Sequence, residues 1–307
     1  MRKLTGVLLA GAMAVSLAAC GQAEEKSNTS KKAETEQTKE QTPENVMIKS
    51  FNGNKEEVNL EVPYDPERIA VLDMASLDIL DNLGMGDRVV GSASTSLEYL
   101  TDYVDNEEVF IGGRLASSYD ALSEIAPVVF LSTDSELGIV KSVTKNAETI
   151  ASMFGLEDEV SKKTEGFDER IKALKKTAEG KTALVGMTTS GSFNLMGNDG
   201  RCSIVGREVG FENLTAAEST STHGNEASFE TVVEKNPDYI FVMDRDSAIG
   251  ADGAQTAKEI VENELVMGTD AYKNGRIIYL EHPAVWYTAE GGITALNIML
   301  SDLENAL

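Results

Sequence analysis

The chain has 307 residues and a net charge of −24, with two cysteines and two histidines. That charge argues against nucleic acid or an anionic lipid surface as the partner. Cys20 falls at the end of a leader, which leaves Cys202 without an intrachain disulfide partner, and His223 and His282 are too few for a multi-histidine zinc site.

Residues 1–19 read as a targeting segment. Arg2 and Lys3 precede the short apolar run "LTGVLLAGAMAVS", and "LAAC" closes it at Cys20. Small residues at Ala18 and Ala19 suit a peptidase and Cys20 suits thioether lipidation, so the segment looks like a bacterial lipoprotein signal. The plainer alternative is a secretory signal with an incidental cysteine. Residues 20–45 carry no aromatic or branched aliphatic side chain after Cys20 and are expected to form a disordered, lipid-anchored tether. Such a chain reaches roughly 25–30 Å on average.

The folded body begins with "VMIKSFNGNKEEVNLEV", a hairpin pattern with Asn52-Gly53 as its turn signal. Short buried strands are then expected at 68–72, 89–91, 109–112 and 128–132, separated by helical stretches such as "ASLDILDNLG". A second set follows at 182–187, 239–243 and 276–280. This alternation predicts an α/β fold with parallel sheets in two Rossmann-like lobes, residues 46–155 and 181–307. Between them Val160, Phe167, Ile171 and Leu174 share one helical face, with Gly180 as a stop. One long spine helix over 157–179, about 35 Å in length, is expected to join the lobes within a linking segment 156–180.

Ligands of open α/β sheets sit beyond the carboxyl ends of the strands. Of nine arginines, Arg2 lies in the leader. Arg68, Arg88 and Arg276 precede strands, Arg170 lies on the spine, and Arg207 lies in the helix expected after "DGRCSIVG". Arg114, Arg201 and Arg245 remain, all on the cleft side. Each alone can be a structural ion pair, and Asp244 and Asp246 flank Arg245. Three together point to an anionic ligand, because guanidinium groups are fixed forks for oxyanions. His223 and Tyr287 lie on cleft-side loops. They are candidate ligands for a hard ion such as ferric iron, or a hydrogen-bonded loop residue and a packing residue beside Trp286. Asp120 and Glu230 each stand seven residues before a proline that leads into a strand. Helix capping alone accounts for such acids, and the matched positions suggest related lobes.

In order, the leader cysteine, "VPYDPERIAVLD…LDILDNLG", the spine, "RCSIVGREVGFEN", "THG…SFE", "KNPDYIFVMDR" and "VWYTAEGG" resemble the siderophore-binding lipoproteins of ABC importers. This is the helical-backbone class, which also contains cobalamin and haem binders. The resemblance covers residues 46–307 and is nearest to the catecholate branch of enterobactin and petrobactin type. It implies an inter-lobe cleft in which Arg114, Arg201 and Arg245 surround a ferric catecholate. His223 and Tyr287 are implied as metal ligands when a tetradentate siderophore leaves sites open. Asp120 and Glu230 are implied as the acids that dock on a permease, Asp120 being shorter than the usual glutamate. The implied protein has no intrinsic cofactor and carries an Fe(III)–siderophore as cargo. Its partners would be the permease with its ATPase and, through the lipid anchor, the extracytoplasmic face of the cell membrane. A monomer is expected. A haem or cobalamin binder is the alternative, and an extracellular enzyme a more distant one. No G-x-S-x-G elbow, P-loop, HExxH or strand-end GxGxxG is present.

Overall fold

The computed structural model describes residues 43–51, 54, 56–104, 128–130, 139–217 and 223–307. Residues 1–42, with the leader, Cys20 and all but the last three residues of the expected tether, lie outside the described residues, as do the Asn52-Gly53 turn, the strand expected at 109–112, Arg114 and Asp120. The strands are β1 (Asn45–Phe51), β2 (Glu57–Pro63), β3 (Ile69–Val71), β4 (Val89–Ser92), β5 (Val128–Phe130), β6 (Thr182–Thr189), β7 (Ser192–Leu195), β8 (Glu212–Asn213), β9 (Asn225–Glu226), β10 (Tyr239–Asp244) and β11 (Ile277–Tyr279). The helices are α1 (Met74–Asn82), α2 (Thr101–Val104), α3 (Ile139–Ser152), α4 (Glu157–Lys163), α5 (Phe167–Ala178), α6 (Ile204–Arg207), α7 (Phe229–Lys235), α8 (Arg245–Ala248), α9 (Ala257–Val261), α10 (Asp270–Lys273), α11 (Pro283–Thr288) and α12 (Ile293–Ala306).

The fold is α/β. In the N-terminal half, β3 lies between β4 and β5 in a parallel sheet, and β1 pairs with β2 as the expected antiparallel hairpin. In the C-terminal half the order is β11–β10–β6–β7–β9, with β8 also on β6. The β11, β10, β6 and β8 pairings are parallel, as expected, while β7 and β9, two strands not among those expected, pair antiparallel and depart from that pattern. The departure has a local cause. Ser190 at φ 50° and Gly191 at φ 80° form a two-residue turn with both φ positive, the geometry that returns a strand directly alongside itself.

Successive residues of a strand face opposite sides. Phe241 and Met243 of β10 enter one apolar core, and Ile240 and Val242 enter another, so both faces of the central strands are buried. A strand covered on both sides reads as an unbroken apolar run.

The expected spine is two helices, not one. Val160, Phe167, Ile171 and Leu174 are all buried, as their spacing requires. Thr164 ends α4 with its hydroxyl donating to the Val160 carbonyl at 3.0 Å, and Gly166 takes φ 89° before α5 begins. A left-handed residue cannot continue a right-handed helix, and glycine adopts it without steric cost.

The C-terminal helix α12 packs against α1, α3 and α5. Its amino end is held from the other half of the chain. The buried Asp78 of α1 accepts from the Thr294 and Ala295 amides at 2.9 Å each and from the Tyr99 hydroxyl at 2.8 Å. Burial pushes its carboxyl above the ordinary range against these hydrogen bonds. Gly292 is required here, because a Cβ would stand 2.5 Å from the Asp78 carboxyl.

Candidate functional site

The carboxyl ends of β6 and β10 lie side by side, with Thr188 opposite Asp244. Arg245 is the next residue. The two acids beside it have separate tasks. Asp244 caps α8, accepting from the Ser247 amide at 3.0 Å, and its second oxygen accepts from the Ala257 amide at 2.9 Å. Asp246 turns inward, takes the Ser190 amide of the β6–β7 turn at 2.7 Å, and stands 3.4 Å from the Arg245 guanidinium. Arg245 is thereby aimed, with its side chain 24% exposed. Its Nε donates to the Tyr287 hydroxyl at 3.0 Å, and its Nη1 lies 3.4 Å from Thr189 Oγ1.

Arg201 comes from the turn between β7 and α6. Its Nε donates to the Tyr287 carbonyl at 2.9 Å, and its guanidinium lies 4.3 Å from the centre of the Tyr287 ring. The Arg245 guanidinium is 5.5 Å from the same centre. The His223 ring is 6.5 Å from the Tyr287 ring and inclined to it by 23°. His223 is exposed, and its carbonyl accepts from Asn194 Nδ2 at 2.7 Å. Tyr287 itself stands on α11, which Pro283 opens. Four of the five residues expected to bind ligand, Arg201, Arg245, His223 and Tyr287, therefore converge on one phenol ring. Two guanidinium groups, a phenol oxygen and an imidazole together suit an oxyanion or a hard metal ion carried by one.

Trp286, next to Tyr287, is fully buried and donates its indole N–H to Asp302 at 2.8 Å. Asp302 also meets His282 Nδ1 at 2.7 Å and accepts from the His282 amide at 3.2 Å. Glu281, His282 and Asp302 bring ligand-type atoms together, but the Asp302 oxygens are engaged in fixing α11. His282 is thus a latch for the helix that carries Tyr287.

Glu290 lies within "VWYTAEGG", but nothing in the residue pattern assigns it a role. The Cys202 amide donates to its Oε1 at 2.7 Å. Burial pushes the Glu290 carboxyl up to about 7, while Arg201 holds it down and Glu208 raises it further. Cys202 is buried at φ 60°, with its thiol also pushed up by burial.

Glu230 is exposed in the first turn of α7, behind the Ser228 cap. Its own amide and the Ser228 hydroxyl hold its carboxyl below the ordinary range. Arg276 lies at the opposite end of β10 from Arg245, over the Tyr239 ring at 5.2 Å.

A parallel-containing α/β body with a cationic cluster at its strand ends suits the binding of an anion, and the chain belongs to the periplasmic binding protein family, which residues 103–284 match. The petrobactin-binding protein YclQ of Bacillus subtilis is 32% identical over 334 residues, covering 100% of this chain and 99% of that protein. The ferric-anguibactin-binding protein FatB of Vibrio anguillarum is 26% identical over 266 residues, covering 78% of this chain and 81% of FatB. Among solved structures, YclQ superposes with a TM-score of 0.75 over 86% of this chain and 99% of that one. The catecholate-siderophore binding protein VctP of Vibrio cholerae does so with a TM-score of 0.73 at 27% identity, covering 85% of this chain and 100% of VctP. Among the described residues no helix is long and apolar enough to cross a membrane.

Proposed function

We propose that the chain is an extracytoplasmic solute-binding protein that captures an anionic ferric siderophore of catecholate type and delivers it to an ABC permease for iron uptake. The observation that carries this reading is the convergence of Arg201 and Arg245 on Tyr287, with His223 alongside, in a chain of net charge −24. A local positive site in so acidic a chain serves to focus field on an anion. The names of the relatives, petrobactin-, anguibactin- and catecholate-siderophore-binding, lie in the same ligand class.

In this reading Arg114 is the third guanidinium, from the N-terminal lobe (46–155), and 181–307 forms the second lobe. A ferric tris-catecholate carries three negative charges, and its rings can also stack on guanidinium planes. Tyr287 Oη and His223 ligate iron only when the siderophore leaves two positions open. Glu230 and Asp120 meet cations of the permease, and Cys20 anchors the chain to the outer face of the membrane. The chain binds and releases, and catalyses nothing.

Trp286 is the single tryptophan and adjoins Tyr287, so its fluorescence is the readout. A panel of ferric catecholate, ferric hydroxamate, ferric citrate, haem and cobalamin tests the reading. Saturable quenching at the lowest concentration by the catecholate is expected. Tightest binding of haem or cobalamin overturns it.

A further inference from the structure

Behind the ligand-facing side of the site, Glu290 joins two segments that are far apart in sequence. One is the turn that carries Arg201, and the other is the segment that leaves α11 after Tyr287. Two hydrogen bonds connect them. Arg201 Nε donates to the Tyr287 carbonyl at 2.9 Å, and the Cys202 amide donates to Glu290 Oε1 at 2.7 Å. Between these bonds Cys202 stands at φ 60°, a left-handed conformation that a residue with a Cβ adopts only when its surroundings hold it there. The Glu290 carboxyl is the acceptor that holds it. The direction in which Arg201 leaves the backbone, one residue earlier, therefore depends on Glu290.

The charged and titratable groups that face Glu290 are Arg201 and the Cys202 thiol on the turn and Glu208 at the end of α6. The buried thiol is neutral, so Arg201 is the cation among them. An oxyanion arriving on Arg201 draws on the same positive charge as Glu290. The carboxyl cannot relax into water, so the economical response is to accept a proton.

We propose that Glu290 is the positioning residue for Arg201, fixing the Cys202 turn through its Oε1, and that it takes up a proton when an oxyanionic ligand settles on Arg201. This rests on the reading of the site as an anion-binding cleft. The sign follows from linkage. Ligand binding favours protonated Glu290, so affinity is highest below about pH 7, where burial has already neutralised the carboxyl, and falls as pH rises through that value. Glu290→Gln keeps an oxygen for the Cys202 amide but cannot ionise. Glu290→Ala removes both the acceptor and the charge.

The probe is a hexadentate ferric tris-catecholamide, titrated calorimetrically at pH 6.5, 7.5 and 8.5 in pairs of buffers with different ionisation enthalpies. Wild type should lose about tenfold in affinity from pH 6.5 to 8.5, with net proton uptake at pH 7.5. E290Q should restore the affinity lost in E290A, show a flat profile and take up no proton. E290A should weaken binding more than tenfold, and adding Arg201→Ala should cost little more, since both changes disable the same cation. Circular dichroism checks that each variant is folded, and if E290A does not fold, the E290Q proton count decides alone. Wild type and E290Q with equal proton uptake overturn the inference while the cleft reading stands. A wild-type chain that binds no ferric catecholate removes the cleft reading, and the inference with it.

Discussion

Arg245→Ala isolates the charge at the heart of the site. In the structure the guanidinium is held by the Tyr287 hydroxyl at 3.0 Å and by Asp246 and Thr189 at 3.4 Å, yet keeps 24% of its side chain exposed for a ligand. A charge-assisted hydrogen bond to a ligand oxygen contributes about 1.5–3 kcal/mol. At 1.4 kcal/mol per decade, the loss in affinity is about 10- to 150-fold. Asp246 retains the Ser190 amide after the truncation, so the fold should survive. Arg276→Ala is the matched control. Its guanidinium covers the Tyr239 ring at the start of the same strand. Arg245 stands six residues beyond Tyr239, about 20 Å along the strand from Arg276, which exceeds the screening length of about 8 Å at physiological salt. Titration of Trp286 fluorescence with a ferric catecholate at that salt should show the Arg245 loss and an unchanged Arg276 variant. Equal losses in both, or an Arg245 variant within threefold of wild type, would refute the placement of the cleft at the carboxyl ends of the strands.

The double change His223→Ala with Tyr287→Phe should weaken a tetradentate ferric bis-catecholate strongly and a hexadentate tris-catecholate weakly, and should abolish a shift in the charge-transfer band of the tetradentate complex. Equal losses with an unaltered spectrum reduce the pair to pocket lining. Glu230→Ala should leave the affinity of the purified protein intact and reduce uptake in cells, because rim charges govern association and register. An equal fall in both measurements moves Glu230 into the pocket or the fold. Asp78→Ala leaves the Thr294 and Ala295 amides and the Tyr99 hydroxyl without their acceptor, a loss of about 3–5 kcal/mol. Calorimetry should show melting about 10 °C lower, and a change under 2 °C would mean α12 is held by packing alone.

The strands of the core were legible because burial on both faces leaves unbroken apolar runs such as "YIFVM", and β10 spans Tyr239–Asp244 as that run requires. The single long helix expected for the spine fails for a definite reason. Val160 and Phe167 are seven residues apart, close to two helical turns, so a break at Thr164–Gly166 that restores the same face leaves no mark on the apolar spacing. Gly166 was the available signal. The Ser190-Gly191 turn was likewise written in the sequence as a glycine-containing turn pair and bears on the site directly, since the Ser190 amide binds the acid that holds Arg245. Arg201, Arg245, His223 and Tyr287 could be chosen because strand ends are recognisable. Glu290 could not, because its meaning lies in contact with a residue 88 positions away.

The cluster sets a problem that its own neighbours answer. Two guanidinium groups brought to one ring repel each other, and nothing in the sum of charges over an acidic chain prevents that locally. Tyr287 presents its face to Arg201 at 4.3 Å and its hydroxyl oxygen to Arg245 at 3.0 Å, so one side chain solvates both cations by different means. Acids stand behind each, Asp246 in direct contact with Arg245 and Glu290 beneath the turn of Arg201. The helix that begins at Arg245 is also tied to the N-terminal half, since the Ser96 hydroxyl donates to the Ala248 carbonyl at 2.7 Å. With α12 fastened to Asp78 on the same body, both cations are held in place by the fold itself. On the proposed reading the ordering cost of the site is met in folding, which leaves the charge of an oxyanionic ligand to act on binding.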